Sequence, residues 1–545
     1  MGGGARLSPG RIEDYALLGD THSAALVSMQ GSIDWLCLPR FDSPSVFAAL
    51  LDPERGGRWS LRPAGPFEVS RSYRPGSMVL ETIFSTPTGE VVVTDCLPVG
   101  ESSDPKIPRG VVTEDAVVRL VEGRSGEVEL RSIFAPRFDY GYVHPWLRSL
   151  KGGWMQAVGG PIALDLGATV PLVLGDGAIE ATFEVRAGDS VSFVAAYHPS
   201  HVEGSFSRGP ADCRAMIECT DAYWREWSGR ARVSGPWSDL VVRSLLTLKA
   251  LTYSPTGGIV AAPTTSLPEK VGGVRNWDYR YCWLRDATFT LDVLLEHGYT
   301  SEAIEWRDWL LRAVAGDPDE LQIMYGVGGE RRLVELELPW LSGYEGSRPV
   351  RIGNAAIEQL QLDVYGEVLD SLHSARRAGV ELDADALRLQ RALADHVCVI
   401  WREPDEGIWE VRSGRRHFVH SKVMAWVALD RALEVAAFIG EASGTKRWAA
   451  ERDAIRREVF ERGVSAARGC FVRSYGEEEV DASLLMLPMV GFVEADDPRM
   501  LATLDAVMAD LCRDGFVMRY RSETADDGLP PGEGAFLLCS FWLVD

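Results

Sequence analysis

The hydrophobic pattern of this chain changes from one period to another near residue 235. Before that point, short alternating or valine-rich runs recur at 78–84, 90–96, 127–134, 172–174, 178–185 and 190–197. Turn-forming pairs separate some of them, namely Thr88-Gly89, Asp176-Gly177 and Gly188-Asp189. Because no long helical period lies between most of these runs, residues 1–235 are predicted to form an antiparallel β-sandwich domain.

A helical period begins after residue 235 and continues to the end of the chain. Ten amphipathic segments follow one another, at 239–252, 286–297, 301–315, 354–377, 384–402, 419–439, 444–461, 481–490, 498–512 and 534–545. Long connections rich in glycine, proline and aromatic residues occupy 254–284, 316–353 and 513–533. Connections of this length usually carry function, so residues 236–545 are predicted to be a domain of paired helices with elaborated loops on one rim.

Composition excludes several classes of protein. A length of 545 residues predicts two or three domains, and the formal net charge of −23 disfavours nucleic acid and anionic membranes as partners. The sequence has no apolar run long enough to span a bilayer and no apolar export signal at its start. Nine cysteines without metal-binding spacing fit reduced thiols, so a cytoplasmic location is expected. No feature of the sequence specifies an oligomeric state.

No metal or cofactor is expected. His417 and His420 are three residues apart, but no third ligand or recognised zinc motif accompanies them. The stretch 326–329 is not a dinucleotide-binding fingerprint, and the sequence holds no phosphate-binding loop. The chemistry is therefore expected to come from side chains alone.

One segment of ten residues, 277–286, combines four aromatic residues with two arginines and two aspartates. Aromatic rings offer apolar faces to the C–H side of a pyranose, while arginine and aspartate make charge-assisted hydrogen bonds to its hydroxyls. The segment is therefore typical of a sugar site. A buried helix start with an Arg–Asp ion pair is the structural alternative.

Two glutamates stand out by their surroundings. Glu410 follows Ile408 and Trp409 just before a predicted helix, where an apolar environment would favour its neutral form. Glu533 lies between two glycines at the start of the last helix, where little obstructs the approach of water or substrate. A glycosidase needs one protonated and one ionised carboxylate. An ordinary surface or helix-capping carboxylate is the alternative for each.

Taken together, five blocks of the sequence resemble glycoside hydrolase family fifteen, which includes glucoamylases, glucodextranases and bacterial trehalases. They follow the family's order along nearly the whole chain, at 31–44, 275–287, 346–356, 407–410 with 420–422, and 533–543. The resemblance implies a β-sandwich followed by an (α/α)6 barrel, and an inverting hydrolase. A barrel of six helix pairs needs twelve helices, whereas ten segments are counted here, so the barrel is expected either to be incomplete at its C-terminus or to include two helices that the count missed.

The resemblance also implies roles for particular residues. It assigns Glu410 as the general acid and Glu533 as the base that activates water. It places Tyr279, Trp283, Arg285 and Asp286 around the non-reducing glucose, with Trp409 beside the same sugar. More loosely, matching blocks add further substrate-binding candidates: Trp277, Asp278, Arg351, Asn354 and Lys422.

Several functions remain open at this point. The form of the 277–281 block and the lack of an export signal favour an intracellular α,α-trehalase, with an exo-acting glucoamylase or glucodextranase acting on maltose, isomaltose or short glucans as the alternative. A phosphorylase of similar architecture is a second class, and it would need no carboxylate base. The presence of Glu533 within its complete block argues against a phosphorylase. A sugar-binding protein without catalysis is a third class. In each case the expected partner is a small sugar.

Overall fold

The computed structural model describes residues 9–101, 111–204, 209–524 and 527–545. The first eight residues, on which the expectation about an export signal partly rested, lie outside these ranges. The N-terminal part is built from antiparallel strands at Tyr15–Gly19, Ala24–Ser28, Ser32–Cys37, Ser45–Phe47, Arg58–Pro63, Glu68–Tyr73, Leu80–Thr86, Gly89–Cys96, Val99–Glu101, Val111–Thr113, Ala116–Ala135, Trp146–Ser149, Met155–Gly159, Ile162–Ala168, Val173–Leu174, Ile179–Arg186 and Ser190–Pro199.

A single long strand, Ala116–Ala135, belongs to both layers of a β-sandwich. Its first half pairs with Gly89–Cys96 and Ser190–Pro199, and its second half pairs with Arg58–Pro63 and Ile179–Arg186. The core between the layers is apolar; there the ring of Trp59 packs edge-on against Phe134 and Phe193, with centroids 5.4 and 6.3 Å away. The predicted sandwich is thus confirmed.

Besides a single turn at Phe138–Gly141, a helix of sixteen residues, Cys213–Ser228, lies in the region predicted to be wholly β-structure. Its buried face, which includes Met216 and Ile217, packs on the outside of the sheet against Val118 and Val194. Its buried residues follow a helical period, at 213, 216, 217, 220, 223, 224 and 227, so the sequence did contain a signal for this helix.

After residue 235 the described residues form ten α-helices, the number predicted from the sequence. They are Ser238–Ala250, Leu284–Glu296, Thr300–Ala313, Asp363–Arg377, Ala384–Ile400, Val419–Ile439, Thr445–Arg462, Met486–Met489, Pro498–Leu511 and Leu537–Val544. Short two- to four-residue strands stiffen the loops between them, at Thr252–Tyr253, Gly258–Ile259, Thr265–Pro268, Asn276–Asp278, Cys282–Trp283, Met324–Tyr325, Leu336–Glu337, Arg351–Ile352, Cys512–Arg513 and Phe516–Val517.

The segment predicted as a helix over 354–377 is helical only from Asp363 onward. Asn354 accepts a hydrogen bond from the backbone N–H of Ala356 and starts a short 3-10 turn instead, Ala355–Glu358. The side-chain bond offers the backbone an alternative to the α-helix, so the first turn does not propagate. Asn354 is thereby left in a loop.

The β-sandwich packs directly beneath the loops of the helical domain. Trp35 donates its indole N–H to the carbonyl of Pro263 at 2.8 Å, across 228 residues of sequence. The connection 316–353 supplies Leu338 and Leu341 to the same buried cluster, against Trp35 and Tyr140. The N-terminal domain therefore supports the loop that contains the 277–286 segment.

Among the described ranges, no helix combines the length and the apolar content needed to cross a bilayer.

Candidate active site

The loops at the rim of the helical domain enclose a cavity of about 370 Å³, a size typical of small-ligand sites. Its wall combines aromatic rings with arginines and carboxylates: Glu269, Arg275, Trp277, Tyr279, Trp283, Arg285, Asp286, Phe289, Asn354, Trp409, Glu410, Arg412, Arg519, Phe536 and Trp542, together with several small or aliphatic residues. Eight of the twelve residues predicted for the site lie in this wall. The connections 254–284 and 513–533 contribute to it, whereas no side chain of 316–353 does.

Glu410 ends a tight turn that places its carboxylate in the cavity. The turn closes through a hydrogen bond from the Glu410 N–H to the Gly407 carbonyl, 3.0 Å long. A side chain on Gly407 would collide with the ring of Phe418, because a Cβ there would lie 2.6 Å from it. Glu410 itself has a φ of +56°, a left-handed conformation that costs a non-glycine residue about 1–3 kcal/mol. Backbone strain of this kind is common at functional sites.

The carboxylate of Glu410 is held by two residues of the 277–286 segment. Trp283 donates its indole N–H to Oε1 at 2.8 Å, and a guanidinium nitrogen of Arg285 lies 3.5 Å from the same oxygen. Burial raises the pKa of Glu410 above its usual range, although Arg285 and the Trp283 hydrogen bond oppose that shift. Desolvation is the larger effect, so Glu410 retains its proton to a higher pH than an exposed glutamate.

Arg285 and Asp286 stand side by side in the first turn of the helix Leu284–Glu296. Arg285 donates to the carbonyl of Ile408 at 3.0 Å and lies 3.3 Å from the Asp286 carboxylate. The side chain of Asp286 is 40 % exposed, within the cavity wall. The pair can therefore present both a donor fork and an acceptor to sugar hydroxyls.

An aromatic cluster forms another part of the wall. The ring of Trp409 packs near Tyr520, Phe536 and Trp542, with centroids 6.2 to 6.3 Å apart. Its indole N–H is held by the buried Asp481 at 3.0 Å. Both packing and hydrogen bonding therefore fix the orientation of the Trp409 ring.

Glu533 lies just behind the wall, next to the cavity-lining residues 534–536. Its side chain is 1 % exposed, and its Oε2 bonds to Arg519 and lies 3.6 Å from Arg275. The other oxygen, Oε1, is buried and has no hydrogen-bond partner among the described residues. Oε2 of Glu533 is thus held by arginine, whereas Oε1 can still accept a hydrogen bond or a proton.

Asp527 links the two loops that carry the glutamates. Its carboxylate accepts from Arg275 and from the Tyr520 hydroxyl, both at 2.7 Å, and its carbonyl accepts from the Arg412 N–H at 2.8 Å. Arg412 follows Glu410 by two residues, and Arg275 lies beside Glu533. The relative position of the two glutamates therefore depends on this buried network.

Three other predicted substrate-binding residues, Asp278, Arg351 and Lys422, do not line the cavity. Asp278 is fully buried in a bidentate pair with Arg280. Arg351 donates to the backbone carbonyls of 274 and 276 and covers one face of Trp277 at 4.6 Å. Lys422 donates to the carbonyls of 401 and 403, and burial lowers its pKa to about 8. Each supports backbone or side chains behind the cavity.

Trp277 and Asn354 line the cavity. Trp277 is held between two guanidinium groups, since Arg412 covers its ring at 4.2 Å and Arg351 at 4.6 Å. Asn354 uses its oxygen to cap the short turn Ala355–Glu358, while its amide faces the carbonyl of Asp278 at 3.5 Å.

The sequence did not single out four charged residues of the wall, Glu269, Arg275, Arg412 and Arg519. They belong to loops with no period, and three of them form ion pairs with distant residues: Arg519 with Glu269 and Glu533, and Arg275 with Asp527, across 14 to 252 residues of sequence. Of these four residues, only Arg275 lies in one of the sequence blocks that resemble the family, the block 275–287. Within the described ranges, no group of three or more histidine, cysteine, aspartate or glutamate side chains could hold a metal ion.

Known proteins resemble this chain in both sequence and fold. Residues 235–545 match the family "Glycosyl hydrolases family 15", and residues 4–182 match the family "Trehalase-like, N-terminal". A "Trehalase" of Mycobacterium tuberculosis is 41 % identical, covering 98 % of this chain and 80 % of the relative, and a "Trehalase" of Thermoplasma volcanium is 34 % identical, covering 98 % and 84 %.

A solved bacterial glucoamylase complexed with acarbose superimposes with a TM-score of 0.70 at 13 % identity, covering 98 % of this chain and 85 % of that one. This likeness confirms the predicted fold class, a β-sandwich followed by an α/α barrel. The sequence matches confirm the predicted enzyme class, a glycoside hydrolase. This chain belongs to glycosyl hydrolase family 15.

Proposed function

We propose that this enzyme hydrolyses α,α-trehalose to two glucose molecules with inversion at the attacked carbon. The observation that carries the proposal is Glu410, held in a sugar-sized cavity by Trp283 and Arg285 with a raised pKa. The relatives named "Trehalase", of which two are 41 % and 42 % identical over nearly the whole chain, support trehalose as the substrate.

Glu410 acts as the general acid in this proposal. Its proton passes to the oxygen between the two glucoses as the bond from that oxygen to the anomeric carbon breaks. A carboxyl group with a raised pKa is suited to this step, because it holds its proton to a higher pH than an exposed glutamate and becomes a stable carboxylate beside Arg285 after transfer.

Glu533 acts as the general base. A water molecule attacks the anomeric carbon from the other face of the sugar and gives its proton to Glu533, which inverts the configuration. The unpartnered Oε1 is the atom suited to accept that proton, since Arg519 and Arg275 already engage Oε2.

The remaining wall residues bind the sugar. Arg285 and Asp286 are suited to chelate adjacent hydroxyls, and the flat faces of Trp409, Tyr279 and Trp283 are suited to the C–H faces of glucose. Trp277 and Asn354 complete the wall. Asp278, Arg351 and Lys422 act as positioning residues behind it.

The proposed location is the cytoplasm. All nine cysteines lie within the described residues, and none is paired in a disulfide. Free thiols fit a reducing compartment.

The purified chain should be incubated separately with trehalose, maltose, isomaltose and maltotriose while proton NMR follows the anomers. Equal initial amounts of α- and β-glucose from trehalose alone are expected for an inverting trehalase. Initial β-glucose from maltose or isomaltose would instead indicate the glucoamylase-like alternative. Release of α-glucose alone from trehalose would contradict inversion.

A further inference from the structure

A second carboxylate, Glu269, shares one arginine with Glu533. The terminal nitrogen Nη2 of Arg519 donates to Oε2 of Glu269 at 2.9 Å and also bonds to Oε2 of Glu533. The side chains of Glu269 and Arg519 are 18 % and 17 % exposed and both line the cavity. A single guanidinium thus divides its charge between two carboxylates.

The backbone of Glu269 also holds the loop of Glu533. Its carbonyl accepts the N–H of Gly534 at 2.7 Å, and its own N–H bonds to the carbonyl of Arg275 at 3.1 Å. Arg275 in turn lies 3.6 Å from Glu533. The main chain of Glu269 therefore holds Gly534 and the backbone of Arg275 independently of its side-chain charge.

We propose that Glu269 is a positioning residue for Glu533, because it shares Arg519 with Glu533 and balances the charge of that guanidinium. This inference rests on the proposed function. An arginine paired with one carboxylate alone would stabilise the ionised form of that carboxylate strongly and weaken it as a base. The second carboxylate offsets this effect, because its negative charge balances the guanidinium while the hydrogen bond still orients Glu533.

The charge of Glu269 is subject to opposing effects in this arrangement. Burial is the first of these and raises its pKa, while Arg519 lowers it and the nearby Glu533 raises it. When Glu269 is ionised, its negative charge makes it easier for the group of Glu269, Arg519 and Glu533 to take up a proton. Removing that charge should therefore change the pH dependence of catalysis measurably.

The test compares E269Q, E269D and R519M with the wild-type enzyme on trehalose, as full profiles of kcat and KM against pH. The control is E180Q, which removes a carboxylate from an arginine pair on the β-sandwich, where Glu180 meets Arg131. E269Q should move the acid limb of kcat/KM to lower pH by about 0.5 to 1 unit and lower kcat about tenfold or more. KM should change by less than about threefold.

The other variants separate charge from structure. E269D keeps the charge and should keep the acid limb near its wild-type position, while R519M should move it to higher pH. E180Q should match the wild type. Opposite shifts in E269Q and R519M are an outcome that a merely structural role does not produce. Melting temperatures of all four variants show whether each is folded in the assay.

An unmoved acid limb in E269Q, with an active wild type, would refute this inference and leave the proposed function standing. Equal losses in E269Q and E269D without any shift would refute it as well. A folded wild-type chain that hydrolyses no α-glucoside would refute the proposed function, and this inference with it.

Discussion

Replacing Arg280 by methionine should destabilise the protein severely although Arg280 lies outside the cavity wall. Arg280 is 1 % exposed and Asp278 is fully buried. Two parallel hydrogen bonds of 2.8 and 2.7 Å join them, and Arg280 also donates to the carbonyl of Ser43 in the β-sandwich at 3.0 Å. Its guanidinium lies over the ring of Tyr140, 5.4 Å from the centroid. The pair therefore joins the two domains beneath the sugar-binding loop.

The expected magnitude follows from burial. Methionine matches the length of the arginine stem but leaves the Asp278 charge buried without its partner, which costs about 3–5 kcal/mol. At roughly 2 °C per kcal/mol for a domain of this size, the melting temperature should fall by about 6–10 °C. The double variant R280M/D278N removes both charges and should lose less than the sum of the two single variants.

Unfolding followed by circular dichroism and by calorimetry measures these values. The control is R131Q, which breaks the half-exposed pair with Glu180 and should cost no more than about 1 kcal/mol. A loss below about 1 kcal/mol in R280M would refute the argument, and so would strict additivity in the double variant. D278N, assayed well below its melting temperature, should keep KM within about threefold, because Asp278 does not line the cavity.

Three further predictions concern the reaction itself. E410Q should lose about 10²- to 10⁴-fold in kcat on trehalose but retain hydrolysis of α-glucosyl fluoride, whose leaving group needs no proton; equal loss on both substrates, measured by glucose and fluoride release, would contradict the acid role. E533Q should lose activity on both substrates, and unchanged hydrolysis of either would contradict the base role. W283F removes a hydrogen bond that lowers the pKa of Glu410. Because the protonated acid is the active form, the alkaline limb of kcat/KM should move to higher pH in W283F, and a shift to lower pH would contradict the role of Trp283.

The sequence by itself determined the order of the two domains, the number of α-helices after residue 235 and six of the strands before it. These features depend on local periodicity, which alternates every two residues in a sandwich strand and every 3.6 in a helix. The prediction missed the helix Cys213–Ser228, although its buried residues follow a helical period, and it extended the helix Asp363–Arg377 too far towards Asn354, where a side-chain bond competes with helix formation.

The sequence also indicated the two glutamates and the aromatic and charged residues of the 277–286 segment, since sugar chemistry demands those residue types. Only the tertiary structure decided which of them line the cavity. Asp278 and Trp283 are five residues apart in one motif, yet one is buried under the loop against Arg280 and the other bonds to Glu410.

The pairing of Glu269 with Arg519 is the clearest case of a contact that the sequence alone could not predict. They lie 250 residues apart in irregular loops, where no period links one residue to another. Their meeting depends on how the loops pack over the β-sandwich and on a buried charge network that balances only when all its members are in place. Local sequence determines the elements, whereas the environment of each charge is a property of the folded chain.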